Sequence, residues 1–251
     1  MGATGEASRR ERAYPGGQIA YKSEWMETGE DSQFSPTVFL YEQPGDTTLS
    51  AHFHHNNQFQ IFIEGKGRIG VRTLAPVVVH YASAYTGYGP LAAGPDGLKY
   101  FTLRTVHESG AVRVADARAG KASWPKGPMR HATSKQVDIA ATETLMVLPV
   151  ARVSVLIPRA EDGLEVLSIE MPADTLLTPV DITTGAGVFL FVLSGSTDSA
   201  PYVLGSSESL YVSADEPFPH IVSGSEGCHL LTLVMPKRDP AFSKDPSGCT
   251  P

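Results

Sequence analysis

Short apolar runs rich in Val, Ile, Phe, Tyr and Thr, broken every few residues by Gly or Pro, follow one another along almost the whole chain. This pattern reads as an all-β protein of many strands and tight turns. The runs predict strands over residues 37–41, 48–54, 58–63, 68–74, 77–81 and 100–105, and again over 153–158, 165–170, 187–193, 209–212 and 229–234. Within 58–63 the alternation places Gln58, Gln60 and Phe62 on one face and Phe59, Ile61 and Ile63 on the other. The apolar face needs a cover, which a second domain or another subunit would supply. A helical turn is suggested only around 134–141.

The runs fall into two blocks of similar length, separated by a weaker interval centred on Trp124-Pro125-Lys126-Gly127-Pro128. Two like domains in tandem are expected. Residues 1–33 read as an N-terminal arm, disordered over about the first twenty residues or crossing onto a neighbour. A first domain over 34–115, a connector over 116–150, a second domain over 151–238 and a tail over 239–251 follow.

Composition narrows the function. The chain of 251 residues carries 20 Lys and Arg against 27 Asp and Glu, a net charge of −7, with no basic run to neutralise a row of phosphates, so nucleic acid is not an expected partner. The longest apolar runs, 145–150 and 188–193, fall far short of the roughly 20 residues that cross a bilayer, and no signal-type segment opens the chain. Two cysteines, Cys228 and Cys249, make a disulfide framework implausible. A cytoplasmic protein is expected.

The densest set of candidate ligands is Ala51-His52-Phe53-His54-His55-Asn56-Asn57-Gln58-Phe59-Gln60-Ile61-Phe62-Ile63-Glu64-Gly65. On a strand His52 and His54 share a face with their bases about 7 Å apart, which one ion can bridge. The segment resembles the first motif of the cupin family, in which His-x-His is followed after three or four residues by Glu and after six more by Gly. His52, His54 and Gly65 match, and Gln58 stands where the Glu would be. The second cupin motif sets Gly, Pro, Gly, His and Asn at fixed spacing. Gly89, Pro95 and Gly97 fit it, while Tyr100 takes the His position and Arg104 the Asn position.

The resemblance implies two tandem cupin barrels of the double-stranded β-helix, jelly-roll kind, the first with an altered metal motif, and pairing into a homodimer. It implies one divalent transition metal, Fe(II), Mn, Ni, Cu or Zn, held by His52, His54 and Gln58. A third strong ligand is missing, and Tyr100 as a phenolate, His80 from its strand or His55 turned inward would each supply it, with His80 preferred. Gln58, Gln60 and Tyr100 are the candidate catalytic groups. His55, Tyr85, Tyr88 and Arg104 are candidates for the substrate pocket, with Arg72 a further cation for a carboxylate. By resemblance the activity would be that of a dioxygenase, lyase or isomerase acting on a small oxygenated organic acid, enol or aromatic compound. The alternative is a non-catalytic or metal-free protein of two such domains that binds a small ligand.

The second block is predicted to hold no metal. Its ligand positions fall in 179–188, which contains Asp181 but no histidine. His220 falls near a second-motif histidine and reads as a structural residue, and His107 and His131 as surface residues. Cys228 and His229 are adjacent, so a strand sends them to opposite faces and disfavours a thiol nucleophile.

Overall fold

In the computed structural model, which describes residues 8–14, 17–26, 35–108, 110–125 and 127–242, strand is the dominant element and all strand pairings are antiparallel. The chain divides into two compact units. Residues up to Gln136 together with those from Arg238 onward form the first, and Val137–Lys237 form the second. Among the described residues, no helix is long and apolar enough to cross a membrane.

The first unit contains β1 (Arg10–Ala13), β2 (Ile19–Met26), β3 (Thr37–Gln43), β4 (Thr48–Leu49), β5 (His52–Phe53), β6 (Gln58–Ile69), β7 (Arg72–Leu74), β8 (Val78–Ala82), β9 (Leu91–Arg104), β10 (Val112–Arg113), helix α1 (Val114–Arg118) and β11 (His131–Thr133). Nine of these strands form one sheet in the order β1-β2-β3-β9-β6-β8-β11, with β4 on β9 and β7 on β6. Two expectations change here. Residues within 1–33 form β1 and β2, which extend the sheet from β3; all four β1 residues are exposed, so no alternation marked them. Part of the expected connector, His131–Thr133, is the edge strand on β8.

The strands β6 and β9 are longer than their apolar runs because glycines expected to end them instead bend them. Gly65 (φ +80°) and Gly97 (φ +79°) face each other across the pair, at shifts in its register. A Cβ on Gly65 would overlap the Gly97 carbonyl. Only glycine takes this φ and this approach without strain. Residues 37–43, 58–69 and 91–104 thereby build one continuous ladder in which Gln58, Gln60, Tyr100, Thr102 and Arg104 point to one side.

The second unit repeats this device. It contains helix α2 (Thr142–Met146), β12 (Arg152–Ile157), β13 (Glu165–Met171), β14 (Gly185–Thr197), β15 (Ser209–Ser213) and β16 (Ser223–Pro236), in the sheet order β12-β13-β16-β14-β15. Gly195 (φ +71°) meets Gly227 (φ +78°), and Gly195 pairs with Cys228 as Gly65 pairs with Leu98. Counting from these glycines, the counterparts of Gln58, Gln60, Phe62, Tyr100 and Arg104 are Val188, Leu190, Val192, Leu230 and Val234. All five sit in one buried apolar cluster. The counterpart of Tyr100 is thus Leu230, and His220 is an exposed residue before β16 rather than a second-motif position. The helical turn expected at 134–141 lies further on, at Thr142–Met146.

Gly65→Ala is expected to lower stability by more than about 2 kcal/mol, because it adds a backbone clash to an unfavourable φ. Gly120→Ala, at a similar φ of +74° but with no atom within 4 Å, is expected to cost only about 1 kcal/mol. Urea denaturation of the two variants measures the difference.

Candidate ligand-binding site

The polar face of β6 and β9 lines a cavity of about 340 Å³, within the range of small-molecule sites. Its wall combines the aromatic rings of Tyr14, Phe39, Tyr41, Tyr88 and Tyr100 with His52, His54, Gln58, Gln60, Thr102, Arg104 and Arg113. Among the described residues, no Asp or Glu lines it.

One chain of hydrogen bonds runs through these groups, and its direction is forced by a group that can only accept. The Ser50 carbonyl lies 2.8 Å from His52 Nδ1, so Nδ1 carries the proton and Nε2 is the acceptor. Nε2 therefore accepts from the Tyr88 hydroxyl at 3.0 Å. The Tyr88 oxygen in turn accepts from Gln58 Nε2, which fixes the amide so that Gln58 Oε1 accepts from Arg104 Nε at 3.1 Å and Nη2 at 2.9 Å. The Glu108 carboxylate acts in the same way on the second ring: it lies 2.8 Å from His54 Nδ1, so that nitrogen donates, leaving Nε2 as an acceptor 3.4 Å from Arg104 Nη2.

Charge follows the same pattern. Burial pulls His54 down to about 4 and His80 down to about 3, and lowers His52 as well, so all three rings are neutral near pH 7. Burial pushes the Glu108 carboxyl up, but the bond from His54 and the Arg104 charge outweigh it, and its pKa falls below the ordinary value. Glu108 also accepts from the backbone N–H groups of His55 and Asn56, clasping the turn after β5. The signal for Glu108 was absent from any motif, because it reaches the site from the segment after β9.

The donor set does not fit a divalent ion. Both distal imidazole nitrogens are tied as those of metal ligands usually are. However, His52 Nε2 and Gln58 Oε1 are already bonded to Tyr88 and Arg104, and the guanidinium beside them cannot lose its charge. A divalent ion between the two rings would also lie beside this permanent cation, whose repulsion Glu108, 3.9 Å from the guanidinium, offsets only in part. Among the described residues, no group of three or more His, Cys, Asp or Glu side chains is placed to hold a metal ion.

The remaining expected site residues divide. Gln60, Tyr88, Tyr100 and Arg104 line the cavity. Tyr100 is fully buried against Tyr41 and Phe62, and burial raises its hydroxyl well above the usual range, which disfavours a phenolate. His80 sits behind the wall, its ring 5.2 Å from that of Tyr88 and its Nδ1 2.9 Å from the Thr133 hydroxyl. His55 and Tyr85 do not line the cavity. The alternation that brings His52 and His54 to one side sends Phe53 and His55 to the other, where Tyr85, Phe53 and Phe242 pack together. Arg72 is exposed on β7.

In the second unit, Ser168 and His229 form a buried pair at 2.8 Å. The Ala140 N–H donates to His229 Nδ1 at 3.1 Å, so Nε2 carries the proton and donates to the serine, and the ring cannot serve as its base. Burial pushes Cys228 up to about 12, an inert thiol. Cys249 lies outside the described residues.

No sequence family and no curated protein matches the chain. By fold it is similar to a putative dioxygenase from Nostoc punctiforme, at 12% identity over 97% of this chain and 81% of that one, with a TM-score of 0.58. It is similar also to the pirin YhhW from Escherichia coli in complex with nickel(II), at 11% identity over 91% and 95% with a TM-score of 0.55. An oxalate decarboxylase matches at 10% over 92% and 76%, with a TM-score of 0.54. These are cupin-fold proteins, and the likeness is one of fold.

Two outcomes follow from the site. Wild-type protein is expected to bind no Ni(II) or Zn(II) above background in equilibrium dialysis, whereas a Gln58→Glu/Arg104→Asn double variant, which removes the cation and adds a carboxylate, is expected to bind one ion; equal behaviour would contradict the displacement. Stability is expected to fall as pH drops below about 6.5, because unfolded histidines take up protons that His54 and His80 refuse until about 4 and 3. Glu108, whose folded pKa is lowered, adds to the loss below its ordinary range. Urea midpoints between pH 7 and 5, with NMR showing the two rings still neutral, check this.

Proposed function

We propose that the first unit binds a small oxygenated organic acid without a metal, with Arg104 supplying the positive charge. The observation that carries this reading is a buried guanidinium on the wall of an aromatic cavity that no carboxylate of the described residues lines. Arg104 is only 4% exposed and uses Nε and Nη2 on Gln58 and His54, while Nη1 has no protein partner among the described residues. A carboxylate accepting from it forms a charge-assisted bond in a site of low dielectric. Arg113 also lines the cavity, paired with Asp116 at 2.7 Å. The dioxygenase and lyase chemistries implied by the family resemblance would call for a metal, and the arrangement of Arg104, Gln58 and Tyr88 favours the metal-free alternative.

Catalysis of proton transfer is a second reading, favoured by the Tyr88–His52 pair. A proton leaving a bound acid can pass to the Tyr88 oxygen as the Tyr88 proton moves to His52 Nε2, which is unprotonated and correctly oriented. Its test is solvent deuterium entering C3, the carbon beside the keto group, of a bound 2-oxo acid, detected by NMR and lost in His52→Gln.

Isothermal titration with phenylacetate is expected to show one site per chain. Arg104→Gln, which keeps the hydrogen-bonding bulk but not the charge, is expected to weaken binding at least tenfold. Unchanged affinity in the variant, or a stoichiometric transition metal in untagged protein that disappears in His52→Ala/His54→Ala, would overturn the reading.

A further inference from the structure

Strand register sorts the residues along the cavity wall into rows. Gln60 on β6 stands directly opposite His80 on β8 and Thr102 on β9. Two residues along each strand toward one end, Gln58 stands opposite Ala82 and carries the bond to Arg104. Two residues toward the other end, Phe62 stands opposite Val78 and Tyr100. The sheet therefore presents a charged row, a neutral polar row and an apolar aromatic row, each separated from the next by two residues, about 7 Å.

The middle row is unfinished. The Gln60 side-chain oxygen and His80 Nε2 are both buried without a hydrogen-bond partner, although both residues are at least 97% buried. The Gln60 amide lines the cavity and His80 lies against it in register. An orphaned buried amide destabilises the folded protein, and native proteins leave few such groups unsatisfied. The rows above and below differ: Gln58 Oε1 accepts twice from Arg104 and its amide donates to Tyr88, and Phe62 and Tyr100 pack on each other.

We infer that Gln60, backed by His80, is the specificity subsite for a ligand hydroxyl lying about 7 Å from the carboxylate. This deepens the proposed function and rests on it. The ligand class is then a hydroxylated aromatic acid whose hydroxyl is far from the acid group. The carboxylate meets Arg104, the ring lies among Phe39, Tyr41 and Tyr88, and the hydroxyl donates to the Gln60 carbonyl oxygen. An acid without the hydroxyl leaves the amide unpaired. An acid with the hydroxyl beside the acid group cannot reach it.

Titration of the full chain with 4-hydroxyphenylacetate, 2-hydroxyphenylacetate and phenylacetate separates these cases. The 4-hydroxy acid is expected to bind at least tenfold more tightly than the other two, and Gln60→Met is expected to abolish that preference. Equal affinity of the three acids, or a preference that survives in Gln60→Met, overturns the subsite and leaves the anion site standing. If none of the three binds, the anion site fails and the subsite with it. The isomer comparison uses wild-type protein, so it decides the matter even if Gln60→Met does not fold.

Discussion

The first unit is organised around a guanidinium buried beside two imidazoles. Arg104 is held by the Gln58 amide and faces Glu108 across 3.9 Å, which balances a charge that would otherwise be costly to bury. Glu108 sets the tautomer of His54 and closes the turn after β5. Gln58 passes the polarisation on to Tyr88 and His52. Removing the cation would leave the buried Glu108 carboxylate unbalanced and Gln58 Oε1 without its donors together, so these groups act as one network rather than as separate contacts.

This network explains why two departures from the metal-type motif occur together. A Glu at position 58 would place a second carboxylate beside Glu108, and a neutral residue at 104 would leave Gln58 Oε1 without its donors. Gln58 with Arg104 is internally consistent: a neutral acceptor meets a permanent donor, and the charge is balanced from the segment after β9. The second unit keeps the glycine bends of the same ladder but fills the equivalent positions with Val188, Leu190, Val192, Leu230 and Val234. One framework thus supports a polar cavity in one unit and a solid apolar core in the other, depending on a few inward side chains.

Most of the strands were legible as alternating apolar runs, and His52, His54 and Gln58 as one constellation, because strand parity is a local property of two or three residues. The same parity argument, carried one residue further, would have separated His55, which was expected in the pocket, from His52 and His54. The strands β1 and β2 were hidden because β1 is an exposed edge, where alternation carries no signal. Gly65 and Gly97 read as strand ends, since a sequence cannot distinguish a glycine that breaks a ladder from one that bends it.

By itself, then, the sequence determined the all-β class, the two blocks and the face on which the imidazoles lie, all of which follow from the two-residue period of an extended chain. Which atoms those imidazoles meet was decided by tertiary structure alone. Arg104 and Glu108 come to His54 from 50 and 54 residues away, and the partner of Gln60 is set by the pairing of β6 with β8 and β9. The reason is physical: a ligand set is a property of distances across strands, and such distances exist only once the ladder has closed.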